Sequence, residues 1–459
     1  MRVEPVSVES VRVEPAVATA LPSRVTLREV FAIALPIMLS GATVPLVGFV
    51  DTLVVGQLGS AALIGGMAVA TTMFNAIYWS FGFLRMGTTG FTAQAVGAGD
   101  KPEQIAILAR GILIATVFGC AIVVFQVPLR NGFFYLIGGS AEVRAAARTY
   151  FDWRIWAAPA GLINYVLFGW FMGQGRAMTA FWLQLALNIV NIVVSLGLVI
   201  GLGLGVAGAG IAAFVSEVGA AFAGLCVAYR AARRLGPAVS WAQILDLVAL
   251  KRLVVVNRDI FIRTACLLGV TIMFTSKGAA AGDVTLAANA VLQSLLHISI
   301  YLLDGFESAA QTMVGQSSGA RNAERLQSAV RVTTMAAAIT GVVLALILWT
   351  AGPWLIDTMT AAPAVRTQAR DYLLWLAVTP FIAMWCFQLD GIFIGATRTA
   401  EMRNMMLISF AVYLVAVTLL FPRWGNHGLW AALNIFFIVR AITLGWCYPG
   451  LVQSVAARR

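Results

Sequence analysis

RTYFDWRIWAAPAGLINYVLFGWFMGQGR, residues 148–176, and RDYLLWLAVTPFIAMWCFQLDGIFIGATR, residues 370–398, are two copies of one pattern. Arg148, Tyr150, Trp153, Gly169, Phe171, Gly173 and Arg176 match Arg370, Tyr372, Trp375, Gly391, Phe393, Gly395 and Arg398 at a constant offset of 222 residues. The same offset carries Gln94, Gly97 and Ala98 onto Gln316, Gly319 and Ala320. After a small shift, Gly205, Gly208 and Ala212 fall on Gly425, Gly428 and Ala432. A fixed offset of about half the chain marks an internal duplication.

The chain is 60% hydrophobic and 11% charged. An average soluble domain carries about 25% charged residues, so most of this surface must face lipid. A span needs about 20 mostly apolar residues. Roughly twelve such segments can be read by hydropathy, centred near residues 40, 77, 116, 158, 190, 217, 263, 300, 338, 380, 410 and 438. The expected fold is an all-α integral membrane protein of twelve transmembrane helices in two pseudo-symmetric six-helix bundles. Such a duplicated, apolar chain points to a transporter with a cavity between its bundles.

The net charge of +11 acts here as an orientation signal. With the N-terminus inside, inner loops and ends hold about 19 Lys/Arg and outer ones about 7, a positive-inside bias. Arg230, Arg233, Arg234, Lys251 and Arg252 bracket the central loop, and Arg321, Arg325 and Arg331 follow the eighth span. This pattern argues against a nucleic-acid partner. Both termini are expected in the cytoplasm, in a cell inner (plasma) membrane.

Residues 1–24 read as a disordered cytoplasmic tail, with the first span an uncleaved signal anchor. Residues 25–235 form the N-terminal lobe, 236–247 a linker broken by Gly236-Pro237, and 248–459 the C-terminal lobe. Six spans per half make the repeats parallel, related by an axis along the membrane normal. Both lobes lie in one chain, so a monomer in contact with lipid is expected rather than an oligomeric pore.

Ionisable residues at mid-span cost about 2.5–3.5 kcal/mol on insertion scales and are functional candidates. They are Asp51, Arg85, Asp152, Arg154, Glu217, Arg258, Asp259, Arg263, Asp304, Glu307, Asp390 and Arg440. Charges present in one half only are the better functional candidates. Asp390 aligns with Phe168, Asp152 and Arg154 with Leu374 and Leu376, and Asp51 falls near Met273. Asp51 follows Pro36 and Pro45, which bend a helix. It is either a carboxylate carried into a cavity or a hydrated group near the outer interface. Gln184, Asn188, Asn191 and Ser195 share one helical face, either as a cavity wall opposite Asp51 or as interhelical hydrogen bonds. Asp259 and Arg263, four apart, are expected to pair. Adjacent Arg258 and Asp259 are not expected to share a face. Asp304 and Glu307 either share a proton or pair with arginines.

Signals for enzymes are weak. Two histidines, His297 and His427, five cysteines without a CxxC pair, and no HExxH or GxxxxGK[ST] motif call for no metal or cofactor. An intramembrane enzyme would require His297 and His427 to converge on one metal.

Residues 45–52 (PLVGFVDT), followed by GQLGS at 56–60, resemble the first span and turn of the multidrug and toxic compound extrusion (MATE) family. Residues 81–100 (FGFLRMGTTGFTAQAVGAGD), 257–264 (NRDIFIRT) and 389–399 (LDGIFIGATRT) resemble its DNA-damage-inducible F (DinF) branch. The resemblance implies two six-helix lobes alternating between inward-open and outward-open states. It implies export of amphipathic, often cationic, organic compounds against proton or sodium entry. The family's first-span and tenth-span carboxylates map to Asp51 and Asp390, and its fifth-span asparagine to Asn191. The chain departs at Ser195, where many relatives have aspartate, and at Ala213, where threonine is common. Fewer oxygen ligands lean the expectation towards protons. The expected ion-coupling set is Asp51, Asn188, Asn191 and Ser195; Asp51, Gln184, Asn188 and Asp390 are expected to face the substrate. Asp259, Arg263, Asp304 and Glu307 are further charges of the C-terminal lobe. A flippase for a lipid-linked sugar is the alternative and would need a strongly cationic cavity.

Overall fold

The computed structural model describes residues 22–457 apart from 57–59, 139 and 238, with backbone only for 44–47, 49, 51–53 and 61. Most of the expected tail therefore lies outside the described residues. The first half comprises α1 (Leu27–Gly56), α2 (Ala61–Ser80), α3 (Phe83–Gly97), α4 (Lys101–Val124), α5 (Gln126–Ile137), α6 (Ala141–Arg154), α7 (Ala158–Gly173), α8 (Ala177–Leu196) and α9 (Gly205–Leu235). The short α10 (Trp241–Ile244) lies between α9 and α11. The second half comprises α11 (Leu247–Ala280), α12 (Asp283–Gly319), α13 (Ala323–Met359), α14 (Pro363–Asp371), α15 (Leu373–Gly395) and α16 (Thr399–Ala456).

Nine helical segments among the described residues are long and apolar enough to cross a membrane. α1 and α11 are a further two long helices, and α16 is two spans joined across a non-helical kink at Gly425. Nine, plus two, plus one for the second arm of α16, gives the twelve-span fold. Large apolar side chains such as Phe222, Ile272, Leu346 and Trp446 stay exposed. Lipid, not water, is the neighbour that makes such exposure favourable.

The duplication is written into the turns. Asp100 caps α4 by accepting from Glu103 N at 2.9 Å, and its repeat mate Asn322 caps α13 by accepting from Arg325 N at 3.0 Å. Both are side-chain acceptors for helix-end N–H groups that would otherwise be orphaned. The residue before each cap is left-handed: Gly99 (φ 69°) in the first half and Arg321 (φ 53°) in the second. The next such pair is Gly175 (φ 75°) and Thr397 (φ 55°). Glycine adopts this conformation without Cβ strain; the second half tolerates it in side-chain-bearing residues.

Packing is also repeated. α7 lies on α3, α4 and α9, while α15 lies on α12, α13 and α16. Gly169 and Gly173 sit over the backbone of Arg85 and Thr89; Gly391 and Gly395 sit over that of Glu307 and Gln311. A Cβ at Gly173 would stand 2.7 Å from the Thr89 carbonyl oxygen. Small residues thus set the close approach of each central helix.

The halves meet along the C-terminal ends of α3 and α12 and the first part of α1. Gly97 packs against the Gln316 backbone, and Gly319 against that of Gln94, so closely that neither could carry a Cβ without displacement. Gln94 Nε2 donates to the Gly395 carbonyl at 3.1 Å, and Gln316 Nε2 to the Gly173 carbonyl at 3.2 Å. These paired contacts exchange under the 222-residue offset. Arg252 donates to Gln94 Oε1 and to Thr397 Oγ1, each at 3.2 Å. At the start of α1, Val25 N donates to Ser328 Oγ at 2.9 Å and Arg325 donates to the Pro22 carbonyl at 2.7 Å. The segment just before α1 is therefore fixed to the second half. α10 is held to α4: Arg110 donates to the carbonyls of Gln243 (2.7 Å) and Ile244 (3.1 Å) and pairs with Glu103 at 2.7 Å.

Candidate functional site

Among the described residues, two polar constellations inside the spans hold most of the residues singled out by the sequence. The first follows the face of α8. Gln184 Nε2 donates to Asn188 Oδ1 at 3.1 Å, Asn188 Nδ2 to Thr43 Oγ1 of α1 at 2.7 Å, and Asn191 Nδ2 to Ser216 Oγ of α9 at 3.2 Å. Asn188, Asn191 and Ser195 are all buried. Of the two sequence readings of this face, the described contacts give interhelical hydrogen bonds, tying α8 to α1 and α9. The Asp51 side chain lies outside the described residues. Beside this seam, Asn164, Phe168, Gln184 and Ala220 line a cavity of about 20 Å³, room for roughly one water.

The second constellation lies in the C-terminal half. Asp390 is fully buried, and its Oδ2 takes Arg263 Nε at 2.8 Å and also Arg440. Oδ1 of Asp390 and Nε and Nη1 of Arg440 have no hydrogen-bond partner. Arg263, Arg440 and Arg85 lie close enough for their charge to act on Glu307, and Arg85 and Arg263 on Asp304. Among the described residues only Asp390 of these three carboxyls pairs directly with a guanidinium. Burying an ion costs several kcal/mol unless it is compensated, and for Asp390 the two arginines supply the compensation.

The expected Asp259–Arg263 pair is not formed. Asp259 accepts from Arg403 at 2.6 Å, from Arg258 at 2.9 Å and from Thr399 Oγ1 at 3.3 Å. Arg263 goes to Asp390 instead. Spacing of four permits a pair on an isolated helix, but α15 and α16 offer both side chains better-enclosed partners. Adjacent Arg258 and Asp259 do meet, because the long arginine arm folds back along its own helix. Of the half-specific charges, Asp152 pairs with Arg130 and, at 3.6 Å, with Arg148. Arg154 donates to Tyr150 Oη at 2.7 Å and lies 4.7 Å from the Phe74 ring centre. His427 Nδ1 accepts from Trp375 at 3.1 Å, while His297 lies exposed on α12. Among the described residues no group of three or more His, Cys, Asp or Glu is placed to hold a metal.

Residue-by-residue reading of the sequence missed Asn164. It donates to the carbonyl oxygen of Glu217 at 3.0 Å and to its Oε2 at 2.8 Å. A lone amide in the apolar run of α7 was the available signal. The role of Gln94 and Gln316 was also missed, although their repetition was visible.

Residues 36–197 and 260–420 each match the MatE family, and the spacing of the two matches follows the internal repeat. The chain is 36% identical over 413 residues to DNA damage-inducible protein F of Escherichia coli (strain K12), covering 90% of each chain. It is 24% identical over 421 residues to a probable multidrug resistance protein NorM of Caulobacter vibrioides, covering 87% of this chain and 84% of that protein. The Vibrio cholerae MATE transporter VcmN in its bent form has the same fold, with a TM-score of 0.84 at 18% identity, covering 94% of this chain and 97% of that one. An outward-facing multidrug resistance MATE family transporter superposes equally well, with a TM-score of 0.84 at 17% identity over 94% of this chain and 97% of its own. Two matched segments in register with the duplication, and a 36% identical relative along 90% of the chain, establish that this protein belongs to the MatE family of membrane transporters.

Proposed function

We propose that the protein is a secondary active exporter of the inner (plasma) membrane. It moves amphipathic, often cationic, organic compounds outward in exchange for entering protons, with sodium as the competing ion. The observation that carries this reading is the crossing of α3 and α12. The closest of the contacts between halves, Gly97 with Gln316 and Gly319 with Gln94, lie at the helix ends that lead into Lys101, Arg321 and Arg325. The positive-inside rule makes that end cytoplasmic, which supports a state closed towards the cytoplasm. Twelve spans return both termini to that side. Alternating access then consists of parting this crossing and closing the opposite end. Both lobes lie in one chain, so the working unit is a monomer.

Asp51 of α1, together with Asn188, Asn191 and Ser195 of α8, is the coupling site in this reading. Gln184 and Asn188 mark the ground that substrate reaches in the first lobe, while Asp390, expected to face substrate, is buried against Arg263 and Arg440. The lipid-linked-sugar flippase reading asks for a strongly cationic cavity; Arg263 and Arg440 are instead held by Asp390. Export into inverted vesicles under a pH gradient, then under a sodium gradient, tests the reading. Asp51→Asn should abolish pH-driven export while substrate still binds. Wild-type-like export by that variant removes Asp51 from the coupling role, and a wild-type rate that follows sodium and ignores pH removes the proton.

A further inference from the structure

The small cavity of the first half has a repeat mate, and the two are filled differently. Its lining residues Asn164, Phe168 and Gln184 map at +222 onto Cys386, Asp390 and Met406. Ala220, on the last span, maps at the +220 shift of Gly205 and Gly425 onto Arg440. In the second half this ground is occupied by the Arg440–Asp390 ion pair. In the first half it is an opening of about 20 Å³, large enough for one water. At its edge stands Glu217, three residues from Ala220 and so on the same face of α9.

Glu217 is 12 residues from Gly205 and 18 from Leu235, which at 1.5 Å per residue is about 18 and 27 Å from the ends of the helix. It is half-buried at mid-span. Its hydrogen bond from Asn164 is neutral, and among the described residues no ion pair holds it. The titratable groups that face it are Arg154 of α6, Tyr78 of α2 and Tyr165 of α7. Arg154 is engaged by Tyr150 and the Phe74 ring, and Tyr78 Oη has no hydrogen-bond partner. Neither α8 nor the turn at 197–201 carries a titratable side chain, and the Asp51 side chain of α1 lies outside the described residues.

A half-buried carboxylate at mid-span that forms no ion pair among the described residues, its nearest cation Arg154 being hydrogen-bonded to Tyr150 instead, marks a place that a mobile cation can reach. We propose that Glu217 is a second proton-binding site of the transport cycle, distinct from Asp51. Glu217 binds one proton through the water-sized opening shared with Asn164 and Gln184. In the second half the guanidinium of Arg440 supplies that positive charge permanently. The lobes therefore divide the work: in one the cation is ion-paired in place, and in the other Glu217, which Arg154 faces without an ion pair, exchanges a free one. This inference rests on the reading of the protein as a proton-coupled exporter.

The test uses the full-length transporter in proteoliposomes and compares Glu217→Gln with Glu217→Asp. Gln keeps the acceptor for Asn164 and removes the titration; Asp keeps the titration and shortens the arm. Three readouts are taken: pH-gradient-driven export of a fluorescent organic cation, protons released when that cation binds, and the infrared carbonyl band of protonated carboxyls between acid and neutral pH. The expected result is that Glu217→Gln binds the cation, loses pH-driven export, releases fewer protons and lacks part of the carbonyl band. Glu217→Asp should retain export with a displaced pH profile. Export and proton release by Glu217→Gln at wild-type levels overturn the proposal. Equal loss of folded protein in both variants also overturns it, because Glu217 is then a pin between α7 and α9. Glu217-dependent export that follows sodium and ignores pH overturns the proton assignment. A wild type that exports under neither gradient refutes the exporter reading itself, separately from Glu217.

Discussion

Asp390→Asn is the substitution whose cost the structure fixes best. The side chain is fully buried, and one of its oxygens holds two guanidiniums, Arg263 and Arg440. Replacement by Asn keeps the shape and removes the charge. Arg263 and Arg440 are then left buried without the carboxylate that pairs with both of them. Removing one partner of a buried ion pair costs about 3–5 kcal/mol, mostly through the charge left uncompensated. Set against a typical total stability of about 5–15 kcal/mol, that is a large share. The variant should therefore melt well below the wild type in detergent, and its membrane abundance should fall. Asp390→Asn combined with Arg440→Met removes the stranded guanidinium as well. It should recover part of the loss, with a coupling energy of about 0.5–3 kcal/mol in the double-mutant cycle. If Asp390→Asn melts with the wild type and the double variant is no more stable than the single one, the ion triad is not what holds this part of the lobe. Asp390 would then be free for a direct transport role.

Other predictions follow from the contacts between halves and from the linker. Gly97→Ala forces a Cβ into the Gln316 backbone; overpacking of about 1–3 kcal/mol should shift the population away from the state with α3 and α12 crossed, read as longer spin-label distances between their C-terminal ends. An unchanged distance distribution contradicts the crossing. Gln316→Leu removes one amide-to-carbonyl bond, and Gln94→Leu removes the matching bond together with those to Thr397 and Arg252, so cysteine accessibility at that end should rise in both and further in Gln94→Leu; no rise in either argues against these bonds holding the crossing. Arg110→Ala frees the linker from α4 and should speed protease cleavage near residues 236–247, while an unchanged cleavage rate shows that the linker is held by other contacts. A reporter fused after Arg459 should be active only as a cytoplasmic reporter, and a periplasmic signal refutes the orientation.

The sequence was most informative where function had left its symmetry intact. Apolar length gave the spans, and the 222-residue offset gave the pairing of turns, caps and glycine contacts, because both copies must solve the same packing problem. Partner choice among charges was hidden. Asp259 and Arg263 satisfy a helical spacing rule, yet Arg403 and Asp390 approach from other helices and win both side chains. The Gln184–Asn188 bond was within reach of spacing; the Asn188–Thr43 bond, spanning two helices far apart in the chain, was not. The shift from 222 to 220 also has a local cause. In the first half a π-turn at Gly197–Gly201 and Gly203 precede Gly205, whereas in the second α16 runs to Gly425 across one kink.

The exchange of Gly97 with Gly319 and of Gln94 with Gln316 makes the crossing self-complementary: the same patch meets its own copy. That is the geometry of an isologous interface between identical subunits, here enclosed in a single polypeptide. Each half thus carries a full set of instructions for recognising the other. Two separately expressed chains, cut within the linker, should assemble in the membrane, and the covalent connection should matter for concentration more than for specificity. The halves are then free to diverge everywhere except at this patch. One of them can fix an arginine at its core while the other keeps an opening, and the shared axis is preserved.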